Sequence, residues 1–296
     1  MTDMDKTFSL VNQVWPPLQE SLRELRLEQL LPDVQTIVAE CVKQQMSVEN
    51  TLRVVFGVAL QRRQNHRQEM QLTMARFPTP ATFENFDFTK IDQHSQQSLT
   101  ALANCSWINI GDSVFLQGPS GVGKTHLAVA LGKRAIAQGY RTLFVEAKTL
   151  LGEMKNWQQT GMLPHKLKQL NQIKLLILDD VGNKDNPHPE DCILFSALIR
   201  SRYSSRRSCI ITASTMPMEW FTPRSDQFPT LVAAVDRFVH YCRFVRIQGK
   251  SYRLEAFQNR NREGLGDDYA LLTGQADALT VDALANDKGT TSDTVR

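Results

Sequence analysis

"SVFLQGPSGVGKTHLAVALG", residues 113–132, decides the fold. It is an apolar stretch, then a glycine-bearing turn, then Lys-Thr, then an apolar-periodic segment. Gly118, Gly123, Lys124 and Thr125 fit G-x-x-x-x-G-K-[ST], and each fixed position answers a chemical need. The glycines let the backbone curl so that successive amide N–H groups point at phosphate oxygens, while the following helix presents its positive end to the same anion. Lys124 is expected to reach the β- and γ-phosphates and the Thr125 hydroxyl to ligand Mg²⁺. The whole stretch Gly118, Pro119, Ser120, Gly121, Val122, Gly123, Lys124, Thr125 and His126 is expected to hold a nucleotide through its phosphates. The motif requires a strand before it and a helix after it, and the flanking apolar runs supply both.

Two further apolar runs end in polar residues. "IKLLILDDVG" carries aliphatics followed by Asp179 and Asp180, as a buried parallel strand with carboxylates at its ligand-binding end would. Asp179 is expected to hold the metal through its water shell and Asp180 to orient or deprotonate an attacking water. The pairing favours hydrolysis over transfer to a small acceptor. "CIITASTMP" ends in small hydroxyl residues, with Thr215 the candidate to bridge the lytic water and the γ-phosphate; an ordinary turn is the competing reading. Candidate strands at 114–116, 142–145, 175–178, 209–212 and 244–247 alternate with helical stretches. The fold class predicted is therefore α/β, a largely parallel five-stranded sheet between helices.

Outward from this core, the 296-residue chain has 42% hydrophobic content, enough for one large domain and a smaller one. Residues 1–77 read as helices, with "SVEN" ahead of an apolar run, and form an expected DNA- or partner-binding domain. Residues 78–95 begin in a stretch with two prolines and are expected to be a linker or docking segment, 96–260 the nucleotide-binding domain, and 261–296 an acidic, disordered tail. No run is long and apolar enough to span a membrane, and the amino terminus is acidic and polar where a secretory signal would be basic, so the cytoplasm is expected. The five cysteines lack metal or redox spacing and read as reduced thiols. The net charge of +3 is unevenly spread: residues 101–260 carry 21 basic and 12 acidic side chains. A positive central domain attracts polyanions.

Together "GPSGVGKTHLAVALG", "LLILDDVG", "TASTMP", "VDRFVHYCRFVRIQGKSYR", "LRELRL" and "CSWINIGDSVFLQG" resemble the IstB transposition-helper ATPases, a branch of the AAA+ superfamily close to the DnaC helicase loaders. The resemblance runs from about residue 22 to 260, and the Gly-x-Ser-Tyr-Arg near its end is typical of the helper branch. It implies an AAA+ ATPase that self-associates on double-stranded DNA with ATP bound, recruits a cognate transposase and resets on hydrolysis. It also implies an arginine supplied in trans; by position that role falls on Arg237 of "AAVDRF", with Arg224 and Arg202 as runners-up. Asp180 stands where many members have Glu, and Thr215 where Asn is usual, which puts the turnover rate in question.

DNA contacts are argued from charge. Arg62, Arg63 and Arg67 crowd one or two helical turns with His66; Arg200, Arg202, Arg206 and Arg207 surround Tyr203; Arg243, Arg246, Lys250 and Arg253 follow. A solvated face is the competing reading for the first cluster. With no helix-turn-helix or zinc site in view, contact with backbone and shape is expected. Other readings are a helicase loader, a P-loop small-molecule kinase, for which "GNKDNPHPEDC" lacks an arginine-rich lid, and a non-hydrolysing scaffold.

Overall fold

Strands five or six residues long with largely apolar runs satisfy their side chains best between two layers, and the structure builds that arrangement. A computed structural model describes residues 16–28, 34–182, 189–220 and 229–260. Five strands, β1 (Ser113–Gln117), β2 (Thr142–Glu146), β3 (Leu175–Asp179), β4 (Ser208–Ala213) and β5 (Cys242–Arg246), form one sheet in the order β2-β3-β4-β1-β5. All four pairings are parallel. This is a parallel P-loop α/β architecture, with the P-loop strand and the Asp179 strand separated by β4. The last candidate strand starts earlier than its sequence suggests, at Cys242, because Ser113 pairs with Cys242 and fixes the register.

Alternation of side chains across the sheet sorts the core into two halves. Phe115, Leu176, Leu178 and Ile211 face one layer, with Leu194, Phe195 and Leu198 of the Pro189–Ser204 helix and Leu231 and Phe238 of the Pro229–His240 helix. Val114, Leu116, Ile177 and Ile210 face the other, with Leu127 and Leu131 of the Lys124–Ala137 helix. At the edge, β5 keeps Phe244 49% exposed.

The amino-terminal helices depend on one long element. Val48–Met74 spans 27 residues and starts on Ser47, whose hydroxyl accepts the Asn50 amide at 3.3 Å. A small apolar cluster of Leu22, Val34 and Ala59 joins it to the helix Val34–Lys43. Its far end reaches the sheet and its covering helix: Gln68 donates to the Ala137 carbonyl at 3.1 Å, and the Phe144 amide donates to the Ala75 carbonyl at 2.8 Å.

Residues 78–95 are packed against the core of the sheet, as a docking segment, instead of linking two bodies. Ala81, Phe86 and Ile91 are buried in the second core half, with Phe77, Phe83 and Phe88 against it. The prolines of this stretch suggest a linker, but its recurring aromatics give it apolar surface to bury. The five cysteines are free thiols, four of them buried. Among the described residues no helix is long and apolar enough to cross a membrane. The predicted tail, 261–296, lies outside the described residues.

Candidate nucleotide site

The P-loop sits where β1 gives way to the Lys124–Ala137 helix, and its conformation needs glycine. Gly121 and Gly123 have φ of +85° and +93°, in the left-handed region. A Cβ on Gly121 would lie 2.1 Å from the Ser251 hydroxyl, and one on Gly123 would lie 2.6 Å from the Phe86 ring. The loop is thus clamped between the "GKSYR" segment and the packed 78–95 stretch. Lys124 Nζ donates to the Gly118 and Pro119 carbonyls at 2.9 and 2.8 Å. Burial holds its ammonium below the usual lysine range, opposed by the carboxylates of Asp180 and Asp179 and reinforced by Arg253.

Thr125 and Asp179, 54 residues apart in sequence, meet here. The Thr125 hydroxyl lies 3.0 Å from each Asp179 carboxylate oxygen. Asp179 is 8% exposed, and burial raises its carboxyl above the ordinary range, while hydrogen bonds from Thr212 and Thr125 pull the other way. Thr212, at the end of β4, donates to Asp179 Oδ1 at 2.6 Å and accepts the Asp180 amide at 2.9 Å. One hydroxyl therefore fixes both acidic residues. Asp180 takes φ of +58°, a turn that ends the strand and brings it to the cleft wall.

These groups line a cleft of about 650 Å³ with Ser120, His126, Glu146, Lys148, Asn85, Phe86, Asp87, Tyr252 and Arg253. That volume suits a ligand of nucleotide size. The C-terminal Tyr252–Arg260 helix is tied in through the Tyr252 amide, which donates to the Gly121 carbonyl at 3.0 Å, and the Tyr252 hydroxyl, which donates to the Asp87 carbonyl at 2.6 Å. Lys90 adds an ion pair to Glu255. An oxygen-rich set, one hydroxyl and one buried carboxylate at the foot of a phosphate loop, fits Mg²⁺.

Sequence reasoning missed several of these groups. Thr212 was hidden inside an apolar strand pattern, and Asn85, Phe86 and Asp87 in a stretch read as linker. Thr215 does not line the cleft: its hydroxyl is buried without a hydrogen-bond partner among the described residues, and its carbonyl accepts the Trp220 ring N–H at 3.3 Å.

The arginines separate by burial. Arg202 is corrected outright as a DNA contact or trans arginine: it is 1% exposed and its guanidinium donates to the carbonyls of Leu170, Ile173, Lys174 and Ser208. It ties the start of β3 to the start of β4. Arg253 lines the nucleotide cleft of its own chain, and Arg243 is ion-paired with Asp112 at 3.1 Å. Arg63 and Arg67 are exposed on the long helix and Arg62 is half-buried there. Arg206 is exposed and Arg207 half-buried at the start of β4. Arg237 donates to the Ala233 carbonyl at 2.9 Å and lines a small cavity with Gly111 and Ser113. That cavity lies at the start of β1, a strand length of roughly 15 Å from the P-loop. Arg224 lies outside the described residues.

Comparison with known proteins places these features in context. The family model for the IstB-like ATP binding protein matches residues 20–260. An insertion sequence IS21 ATP-binding protein from Pseudomonas aeruginosa is 30% identical over 87% of this chain and 98% of its own length. An insertion sequence ATP-binding protein from Sinorhizobium fredii is 36% identical over 69% of each chain. A crystal structure of the DnaC helicase loader superposes with a TM-score of 0.46 at 23% identity, over 57% of this chain and 97% of that one.

Proposed function

The chain belongs to the IstB-like ATP-binding family, an AAA+ branch, and on that premise we propose that it is an ATP-hydrolysing transposition helper. It assembles on double-stranded DNA with ATP bound, recruits a transposase and resets on hydrolysis. The observation that carries this reading is the joining of Thr125 and Asp179 beside Lys124, with Asp180 positioned on the same wall by Thr212. The insertion-sequence names of the relatives supply the transposition context.

Each residue then has a role that its chemistry supports. Gly118 to Gly123 wrap the phosphates with backbone amides, and Lys124 neutralises their charge. Thr125 and Asp179 would hold Mg²⁺, which supplies charge neutralisation on the phosphate oxygens. Asp180 orients the attacking water, and Thr212 keeps the two carboxylates in register. Arg237 stands a strand length from the P-loop of its own chain, so its charge serves a neighbouring subunit's γ-phosphate. Arg63 and Arg67, with Arg62 beside them, present cations to DNA phosphates without reading bases.

Arg237→Ala tests the reading. Nucleotide binding to the isolated subunit should persist while hydrolysis falls by roughly a thousandfold, since an arginine delivered in trans acts only on the charge that develops in cleavage. Hydrolysis within a few-fold of the unaltered protein would remove Arg237 from that role.

A further inference from the structure

Arg206, read from charge as a DNA contact, and Arg237, read as the trans arginine, line one cavity with Tyr203 and Tyr241. Arg206 follows the Pro189–Ser204 helix in a left-handed conformation, φ +48°. Its guanidinium carbon lies 4.2 Å from the centre of the Tyr241 ring, and Nη2 donates to the Tyr241 hydroxyl at 3.2 Å. His240 stacks on the same ring with centroids 4.1 Å apart. Tyr241 thus holds the Arg206 guanidinium through both its ring and its hydroxyl.

The charge around this cavity is uncompensated. Among the described residues the ion pairs are made by other cations, and neither Arg206, Arg207 nor Lys174 pairs with a carboxylate. Lys174 has its ammonium pushed down by burial and by the nearby Arg207 and Arg202. At the opposite end of the sheet Asp87, Glu146, Asp179 and Asp180 stand around the nucleotide cleft with Lys124, Lys148 and Arg253, a near balance that a bound triphosphate would turn strongly negative. With the triphosphate bound, two surfaces of opposite charge at opposite ends of one molecule fit each other in a head-to-tail contact between copies.

We propose that Arg206, seated on Tyr241 beside Arg237, is a second cation that each subunit delivers to the nucleotide cleft of the next copy of this chain. This rests on the assembly reading above and adds a specific contact to it. The Tyr241 ring fixes the guanidinium before the partner arrives, so less side-chain freedom is lost when the contact forms.

Arg206→Asn is the informative variant, because asparagine tolerates the left-handed backbone that residue 206 requires. Its affinity for a fluorescent ATP analogue should stay within about twofold of the unaltered subunit, since residue 206 is remote from its own cleft. In sedimentation velocity with a non-hydrolysable ATP analogue and duplex DNA, the concentration needed for assembly should rise about tenfold or more. Mixing Arg206→Asn with Lys124→Ala should restore hydrolysis above either protein alone, because the Lys124 variant offers an intact cation to an intact cleft. Assembly of Arg206→Asn at the unaltered concentration overturns the proposal. So does loss of duplex affinity in the nucleotide-free subunit with assembly intact, which would assign Arg206 to DNA. If the unaltered protein does not assemble, the assembly reading falls and the proposal with it; if it assembles and Arg237→Ala alone impairs hydrolysis, only the role of Arg206 is lost.

Discussion

At the scale of single residues, burial decides what a charge can do. Arg202 and Arg206 lie four residues apart, yet one is sealed in the core and the other exposed. Arg202 donates to four carbonyls at the starts of β3 and β4, so Arg202→Met should remove four charge-assisted hydrogen bonds, leaving Leu170 and Lys174 only their amide donors, and destabilise the fold by about 3 kcal/mol or more. Chemical denaturation followed by tryptophan fluorescence measures this; a change below about 1 kcal/mol would mean that water replaces the guanidinium. Asp179 makes the complementary case. Its carboxyl is raised from 3.8 by burial, so the folded state holds a proton that the unfolded state has released. Stability therefore falls as pH rises from about 3.8 through the raised value. Without nucleotide, Asp179→Asn should melt higher than the unaltered protein at pH 7 and lose that fall with pH. Identical melting curves would contradict the burial cost. The P-loop residues were legible in sequence because a phosphate demands them in fixed order. Thr212 was not, since nothing in "CIITA" distinguishes a hydroxyl aimed at Asp179 from one filling a strand.

At the scale of elements, the strands were readable because a layer buried on both faces demands continuous aliphatics, and Leu175–Asp179 supplies them. The segment 78–95 could not be decided between linker and docking segment because proline dominates a local reading, whereas Phe77, Phe83, Phe86 and Phe88 matter only once a core exists for them to enter. That segment and the Ser251–Tyr252 stretch together grip the P-loop from two sides. Gly121→Ala tests the grip: the new methyl meets the Ser251 hydroxyl and the backbone must hold a φ that alanine resists. ATP-analogue affinity should fall at least tenfold, by roughly 1.4 kcal/mol, as measured by fluorescence titration. Unaltered affinity would show that the loop can shift away from Ser251 without losing its phosphate geometry.

At the scale of the whole molecule, the parallel sheet separates two chemistries. The carboxyl ends of its strands carry the nucleotide cleft and its acidic residues, and the amino ends carry Arg206, Arg207 and Arg237. No sequence motif announces this polarity, because it arises when strands far apart in the chain are laid side by side in one direction. Under the proposed assembly the next subunit completes this site, with nucleotide charge as the bridge. The direct test is sedimentation velocity of the unaltered protein and of Lys124→Ala, each with duplex DNA and a non-hydrolysable ATP analogue. The unaltered protein should shift to large species that dissolve when ADP replaces the analogue, and Lys124→Ala should stay a single subunit throughout. A single subunit in every condition, or assembly of Lys124→Ala at the unaltered concentration, would contradict the claim that bound ATP joins the subunits.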